Sequence, residues 1–294
     1  MKCFHHNDLD GYGSARVVMG FENDYRPDDF IEMDYKNPLH VEKVGKNEKV
    51  YIVDYSISEN TYHSLEKLLE ITDDITWIDH HVSSLSMLDK HRELDSIKGI
   101  RSISHSGVAL TYMYLYHVSD FDKLPAYIRF ISDYDCWHYE YGKETEYFKC
   151  GMEMYAYKPF DEIWEKLEKD SGKEDFLSSL IDSGRSIRTY LDSHYKFQRS
   201  YLSYEREIDG HRALCLNLDG NSWMFGDEID NPDSPYEVYM LWSFDGEFYN
   251  YSLYSSSKKK NSVDVSKIAE KFGGGGHEHA AGFQIKTMFE DFNV

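Results

Sequence analysis

Four short acidic segments hold the residues best suited to chemistry: His6-Asn7-Asp8-Leu9-Asp10-Gly11, Asp54-Tyr55-Ser56, Asp79-His80-His81 and Ser132-Asp133-Tyr134-Asp135. Taken singly, an Asp-Leu-Asp-Gly run or a lone Asp54 is as readily a turn or a helix cap, roles Asp commonly fills. Asp79-His80-His81 is harder to dismiss, because vicinal histidines directly after the apolar run Ile75-Thr76-Trp77-Ile78 rarely serve packing. Carboxylates and imidazoles drawn from several segments make a mixed oxygen and nitrogen set for divalent ions. Asp8, Asp10, Asp54 and Asp133 would carry four negative charges into one crevice, which two divalent cations would balance. Two ions roughly 3.5–4 Å apart could hold a phosphoryl oxygen, activate a water and stabilise the leaving oxygen of an in-line displacement. Such a pair needs a bridging carboxylate, and Asp54 is the natural one.

A second feature lies near the other end, in Phe272-Gly273-Gly274-Gly275-Gly276-His277-Glu278-His279-Ala280-Ala281-Gly282-Phe283. Four consecutive glycines cost backbone entropy. What they offer is close approach: successive N–H groups without Cβ atoms can form a nest for an anion, to which His277 would add a donor. A helix C-cap followed by a tight turn into a strand at 283–285 uses the same residues.

The elements that must position these groups follow a β-α-β rhythm in the first half. Strand-like runs at 2–5, 30–33, 49–53 and 75–78 alternate with helix-like stretches at 13–20 and 59–70, and further helices are expected at 106–117 and 124–131. The acidic segments then fall at the carboxyl ends of parallel strands, where an open sheet lines its ligand crevice. From 160 to about 206 the chain is charged and helical, with a long pattern from about Glu174 interrupted at Gly184. After Asp209-Gly210 it turns β-rich again at 212–218, 222–225, 236–244 and 247–254, with Asp245-Gly246 as a hairpin turn, and a helix is expected over 263–272. The fold class is α/β: a parallel-sheet domain over 1–175 with helices on both faces, a helical connector over 176–208, and a smaller α/β domain over 209–294.

The 294 residues are 41% hydrophobic and 16% aromatic, more buryable surface than disordered chains carry. No apolar stretch approaches the ~20 residues that cross a bilayer, so a soluble, cytoplasmic protein is expected. Cys3, Cys136, Cys150 and Cys215 lie far apart without a C-x-x-C pair, as reduced packing thiols do. The formal net charge of −21 argues against binding long nucleic acid, which takes many Lys and Arg. A substrate with one or a few phosphates, gripped locally, is compatible with it.

Together these motifs resemble the DHH phosphoesterase superfamily over nearly the whole chain. Asp79-His80-His81 is similar to the eponymous triplet, His6 to Gly11 to its first motif, and Asp54 and Asp133 stand where the second and fourth motifs place aspartates. The glycine run through Ala280-Ala281-Gly282 resembles the signature of the associated C-terminal substrate-binding domain. The resemblance implies two divalent ions, usually manganese: one held by His6, Asp8 and Asp54, the other by Asp10, Asp54, His80 and Asp133. It implies that Asp79 orients the site, that His81 touches the scissile phosphate, and that Gly274, Gly275, Gly276 and His277 grip another phosphate or the chain terminus.

Within the superfamily the layout is most similar to the oligoribonuclease (nanoRNase) branch. That implies a metal-dependent phosphodiesterase, an exonuclease on short RNA or DNA oligonucleotides, on linear or cyclic dinucleotides, or on a nucleoside bisphosphate. Inorganic pyrophosphatase or short-chain exopolyphosphatase activity, and a non-catalytic nucleotide-binding scaffold, are the competing readings. No membrane partner is expected, and a homodimer is open to it. One departure is Tyr254, where many members carry an arginine, with Lys258-Lys259-Lys260 a replacement source of positive charge. Tyr134, Trp137, Trp223, Phe225 and Tyr254 could stack on a base, or simply pack.

Overall fold

The first strands are short and largely buried. They are β1 (Lys2–His6), β2 (Phe30–Met33), β3 (Val50–Val53) and β4 (Ile75–Ile78), joined in the order β2-β1-β3-β4, every pairing parallel. All four positions of β3 and of β4 are buried, as in parallel sheets covered on both sides. Alternation sorts their side chains. Cys3, Tyr51, Val53 and Ile78 join one core, and Phe4, Val50, Ile52, Ile75 and Trp77 the other. The first core is closed by α1 (Leu9–Phe21), α4 (Gly107–Leu115), α5 (Ala126–Asp135), α6 (Lys143–Met152) and α7 (Glu162–Lys169). The second is closed by α2 (Tyr62–Ile71) and α3 (Val82–Lys90), with Leu65, Leu68 and Leu94 packed on the sheet. Beyond β4 a bridged segment adds Trp77 N–H to Lys98 O at 2.8 Å and Asp79 N–H to Ile100 O at 3.0 Å. The structure, a computed structural model, describes residues 1–34, 37–169, 175–259 and 262–287.

By its contacts the chain divides into two compact units, Met1–Arg188 and Thr189–Val294, the boundary falling within α8 (Asp175–Leu202). The second unit holds β5 (Ser203–Ile208), β6 (His211–Asn217), β7 (Val238–Phe244), β8 (Tyr249–Tyr254), α9 (Val265–Lys271), β9 (Gly275–His277) and β10 (Ala280–Ile285). Its mixed sheet runs β5-β6-β7-β8-β10-β9, with β6 and β7 parallel and the other pairs antiparallel. One face carries Cys215, Met240 and Leu253 under α9. The other carries Leu216, Phe225, Tyr239 and Leu241, with Tyr195 and Leu202 of α8 packed on them. Asp209 and Gly210, both at positive φ (51° and 81°), make the two-residue turn between β5 and β6.

Several elements differ from the sequence-based expectation. The helical pattern expected to run to about 206 stops at Leu202, and Ser203–Ile208 is an edge strand. The start of that pattern near Glu174 lies outside the described residues. Residues 222–225, expected as a strand, lie in a 3-10 segment, Ser222–Glu228, capped by the Asn221 side chain; a short apolar run reads equally as either. Helix α1 begins at Leu9 rather than 13. Helix α5 extends through Asp135, so the fourth acidic segment sits on a helix and not at a strand end. Among the described residues no helix is long and apolar enough to cross a membrane.

Candidate metal centre

Asp8 caps α1: one carboxylate oxygen accepts the Gly11 N–H at 2.9 Å and the other meets His6 Nδ1 at 2.9 Å. Gly11 must lack a side chain, because a Cβ there would lie 2.2 Å from the His6 carbonyl oxygen; the first turn of α1 rests directly on the end of β1. Asp10, buried on that same turn, accepts the N–H groups of Gly107 (2.6 Å) and Val108 (3.0 Å). Those are orphan donors at the start of α4, where the helix end favours a negative charge. Gly107 in turn is confined. A Cβ would fall 2.5 Å from Asp54 Cβ and 2.9 Å from Asp10 Oδ2.

Asp54 follows β3 at φ 51° and is 1% exposed, yet neither carboxylate oxygen accepts a hydrogen bond. A left-handed backbone and a bare buried carboxylate are both costly. Burial, then the charges of Asp10 and Asp8, hold its carboxyl well above the usual range. His80 Nε2 lies 3.2 Å from Asp54 Oδ1, 3.3 Å from Asp135 Oδ2 and 3.8 Å from Asp10 Oδ2. Burial would depress this imidazole, but a hydrogen bond with Cys136 and the charges of Asp10, Asp135 and Asp79 outweigh it and raise it to about 10. Asp135 is likewise pushed well above the carboxylate range, by burial and then by Asp10. Asp79 goes the other way. Burial would raise it, but the charge and hydrogen bond of His81, with Nδ1 2.8 Å from Oδ1, and the Ser84 hydroxyl hold it low.

The side chains form three overlapping trios whose ligand atoms lie within 4.8 Å of one another: His6, Asp8 and Asp54; Asp54, His80 and His81; His80, Asp135 and Cys136. Asp54 belongs to the first two and His80 to the last two. The buried, unbonded carboxylate at the junction is the polar group a cation would satisfy, and the oxygen and nitrogen donors around it suit divalent ions.

Of the residues expected at the site, His6, Asp8, Asp10, Asp54, Asp79, His80 and His81 are brought together. Asp133 is not. Its carboxylate accepts Glu140 N–H (2.8 Å), Tyr141 N–H (3.3 Å) and the Thr145 hydroxyl, fixing the loop that follows α5. Residues two apart on a helix face different sides, so only one of Asp133 and Asp135 can meet His80, and it is Asp135. Asp135 is hidden in the sequence when this segment is read as a strand end; helical periodicity through 135 is the signal that places it.

In the second unit the glycine run forms a helix end and a hairpin. Gly273 stands at φ 77° and the Gly274 N–H is donated to Ala269 O at 3.0 Å, so it is not left for an anion nest. A Cβ on Gly274 would meet Gly282 O at 2.1 Å, and one on Gly276 would meet Ala281 Cα at 2.5 Å, whereas Gly275 has open space. His277 is exposed and opposite Ala280. The lysines expected to supply charge are engaged: Lys258 pairs with Asp230 at 2.6 Å, and Lys259 donates to Tyr236 O and Tyr239 Oη. Lys260 lies outside the described residues. The Tyr254 hydroxyl sits 3.5 Å from Gly220 O. Phe225 is core; Trp137, 51% exposed at φ 57°, is the most open of the five aromatic candidates.

Comparison with known proteins adds the family. Residues 230–293 match the DHHA1 domain. The DHH domain of a member of the s1p family of ribosomal proteins superposes with a TM-score of 0.60 at 15% identity, over 95% of this chain and 81% of that one. Residues 230–293 thus carry a DHHA1 domain, and the chain as a whole is similar to proteins of the DHH phosphoesterase superfamily. Oligoribonuclease NrnB of Bacillus subtilis is 21% identical over 96% of this chain and 72% of its own. The pGpG-specific phosphodiesterase PggH of Vibrio cholerae superposes with a TM-score of 0.52 at 12% identity, over 97% of this chain and 92% of that one. The uncharacterized protein R106 of Acanthamoeba polyphaga mimivirus is 26% identical over 83% of this chain but 54% of its own length, so the chain spans about half of that relative.

Proposed function

We propose that this DHH protein is a metal-dependent phosphodiesterase that hydrolyses short oligonucleotides or dinucleotides to mononucleotides. The observation that carries the reading is the buried Asp54 carboxylate, without a hydrogen bond on either oxygen, where two metal-competent trios join. His6, Asp8 and Asp54 would hold one divalent ion, and Asp10, Asp54, His80 and Asp135 the other, manganese being the first candidate. Bound there, such ions polarise a phosphoryl oxygen and lower the pKa of a coordinated water. The rest falls to the chain. Asp79 holds the His81 ring through Nδ1, and His81 would donate to a phosphate oxygen as negative charge develops. The amides of Gly107 and Val108 keep Asp10 placed. In the DHHA1 region His277, with the backbone beside it, is the group we would test for phosphate binding.

Similarity to NrnB over almost the whole chain supports the substrate class, and the acidity of the chain disfavours long strands. The test is a panel under manganese: two- to ten-residue RNAs and DNAs, linear and cyclic dinucleotides, a 3′,5′-bisphosphorylated nucleoside, and pyrophosphate. Mononucleotide release from two-residue substrates should be fastest. Faster phosphate release from pyrophosphate would replace this reading with the pyrophosphatase one, and no turnover at all would favour a binding scaffold.

A further inference from the structure

An oxygen and nitrogen centre for manganese has no need of a thiol, yet Cys136 supplies the third member of the trio with His80 and Asp135. The other three cysteines are buried in core; Cys136 is partly exposed. Its place is fixed from two sides. It is the C-cap of α5, its N–H donated to Ser132 O at 3.0 Å, and the loop after it is anchored on the Asp133 carboxylate. A second observation points to a ligand here: Asp54, 1% exposed and without a hydrogen bond on either oxygen, faces the same His80 nitrogen at 3.2 Å.

We propose that Cys136 is a thiolate ligand, with His80 and Asp135, of the second ion position, and that it makes this position select a thiophilic divalent ion such as zinc or cobalt over magnesium. This rests on the metal-centre reading given under Proposed function. The trio of His6, Asp8 and Asp54 holds no sulfur, so the two ion positions differ in chemistry: one is a hard oxygen and nitrogen set, the other a mixed nitrogen, oxygen and sulfur set. Soft thiolate donors favour zinc and cobalt, while magnesium prefers oxygen alone. On binding, a metal–sulfur bond forms, the S–H bond breaks, and the proton leaves to solvent. No electron transfer is involved.

Cobalt(II) titration of the metal-free protein reads this directly, since visible d–d bands report ligation by any donor and a near-ultraviolet charge-transfer band reports a thiolate. Wild type should develop both. Cys136→Ser and Cys136→Ala should keep the d–d bands and lose the charge-transfer band. Zinc affinity, measured against a competing chelator, should fall in both variants by at least the about 10–100-fold seen when a supporting partner is lost. Wild-type d–d bands without a charge-transfer band, or with one that survives in both variants, would overturn the thiolate assignment and leave the centre standing. If wild type shows no d–d bands at all, the metal-centre reading itself fails.

Discussion

His80 Nε2 stands 3.3 Å from Asp135 Oδ2, while Asp133, two residues earlier on the same helix, turns its carboxylate to the backbone of Glu140 and Tyr141. One helix therefore supplies a site carboxylate from one side and a loop anchor from the other. The first depends on the second, because a displaced loop would move the end of α5 that carries Asp135.

Removing the two carboxylates should thus have different signatures. Asp135→Asn should lower kcat by more than about 100-fold, exceeding the usual cost of an outer partner, with a melting temperature close to wild type. Asp133→Asn should instead destabilise by about 1–3 kcal/mol, the cost of mismatched buried hydrogen bonds. It should keep measurable turnover at a temperature where the variant is folded. Parallel thermal melts and initial rates check both; the reverse pattern would restore Asp133 as the site residue.

Asp54→Asn tests whether that carboxylate is there for a cation. Without metal the variant should melt no lower than wild type, because asparagine tolerates φ 51° and carries no ionisable group into a crowded buried cluster. With manganese at 100 times its Kd, wild type should gain about 2.7 kcal/mol for each ion bound and the variant far less. A metal-free variant melting several degrees below wild type would show that Asp54 is structural.

Gly107→Ala should disable the centre from the backbone side. Its methyl group would collide with Asp54 Cβ at 2.5 Å and Asp10 Oδ2 at 2.9 Å, and neither neighbour is the tip of a long side chain. Circular dichroism should show a folded protein whose melting temperature no longer responds to manganese. An undiminished response would mean that the floor of the site is more pliant than its packing implies.

In the second unit, Gly274→Ala and Gly275→Ala should separate packing from ligand approach. The first places a methyl group 2.1 Å from Gly282 O and should cost about 1–3 kcal/mol, as overpacking does. The second meets nothing within 4 Å and should stay within about 0.5 kcal/mol of wild type. If Gly275→Ala also raises KM without altering stability, substrate approaches the backbone there.

Much of the centre was legible in the sequence because strand-end aspartates in a parallel sheet converge by topology. Asp54, Asp79 and His80 follow short apolar runs, and Asp8 a run read as a strand from its place in the β-α-β rhythm. The rest depended on long-range partners. Asp10 is held by amides 97 and 98 residues away, which no local pattern reveals. The start of α1 was obscured by Asp8 and Gly11, residues that read as a turn until Gly11 is seen lying against the His6 carbonyl. Asp135 was missed for want of one helical turn, and the glycine nest was expected because the demand of β10 for close approach is invisible before the hairpin is formed. The DHHA1 match at 230–293 agrees with the glycine signature as a family mark without requiring that nest.

Manganese binding measured by equilibrium dialysis on four proteins tests the centre most directly. Wild type and folded Asp133→Asn should bind two ions per chain, and Asp54→Asn and Asp135→Asn fewer than two. No bound manganese in wild type, or loss of an ion in Asp133→Asn with full binding in Asp135→Asn, would contradict it.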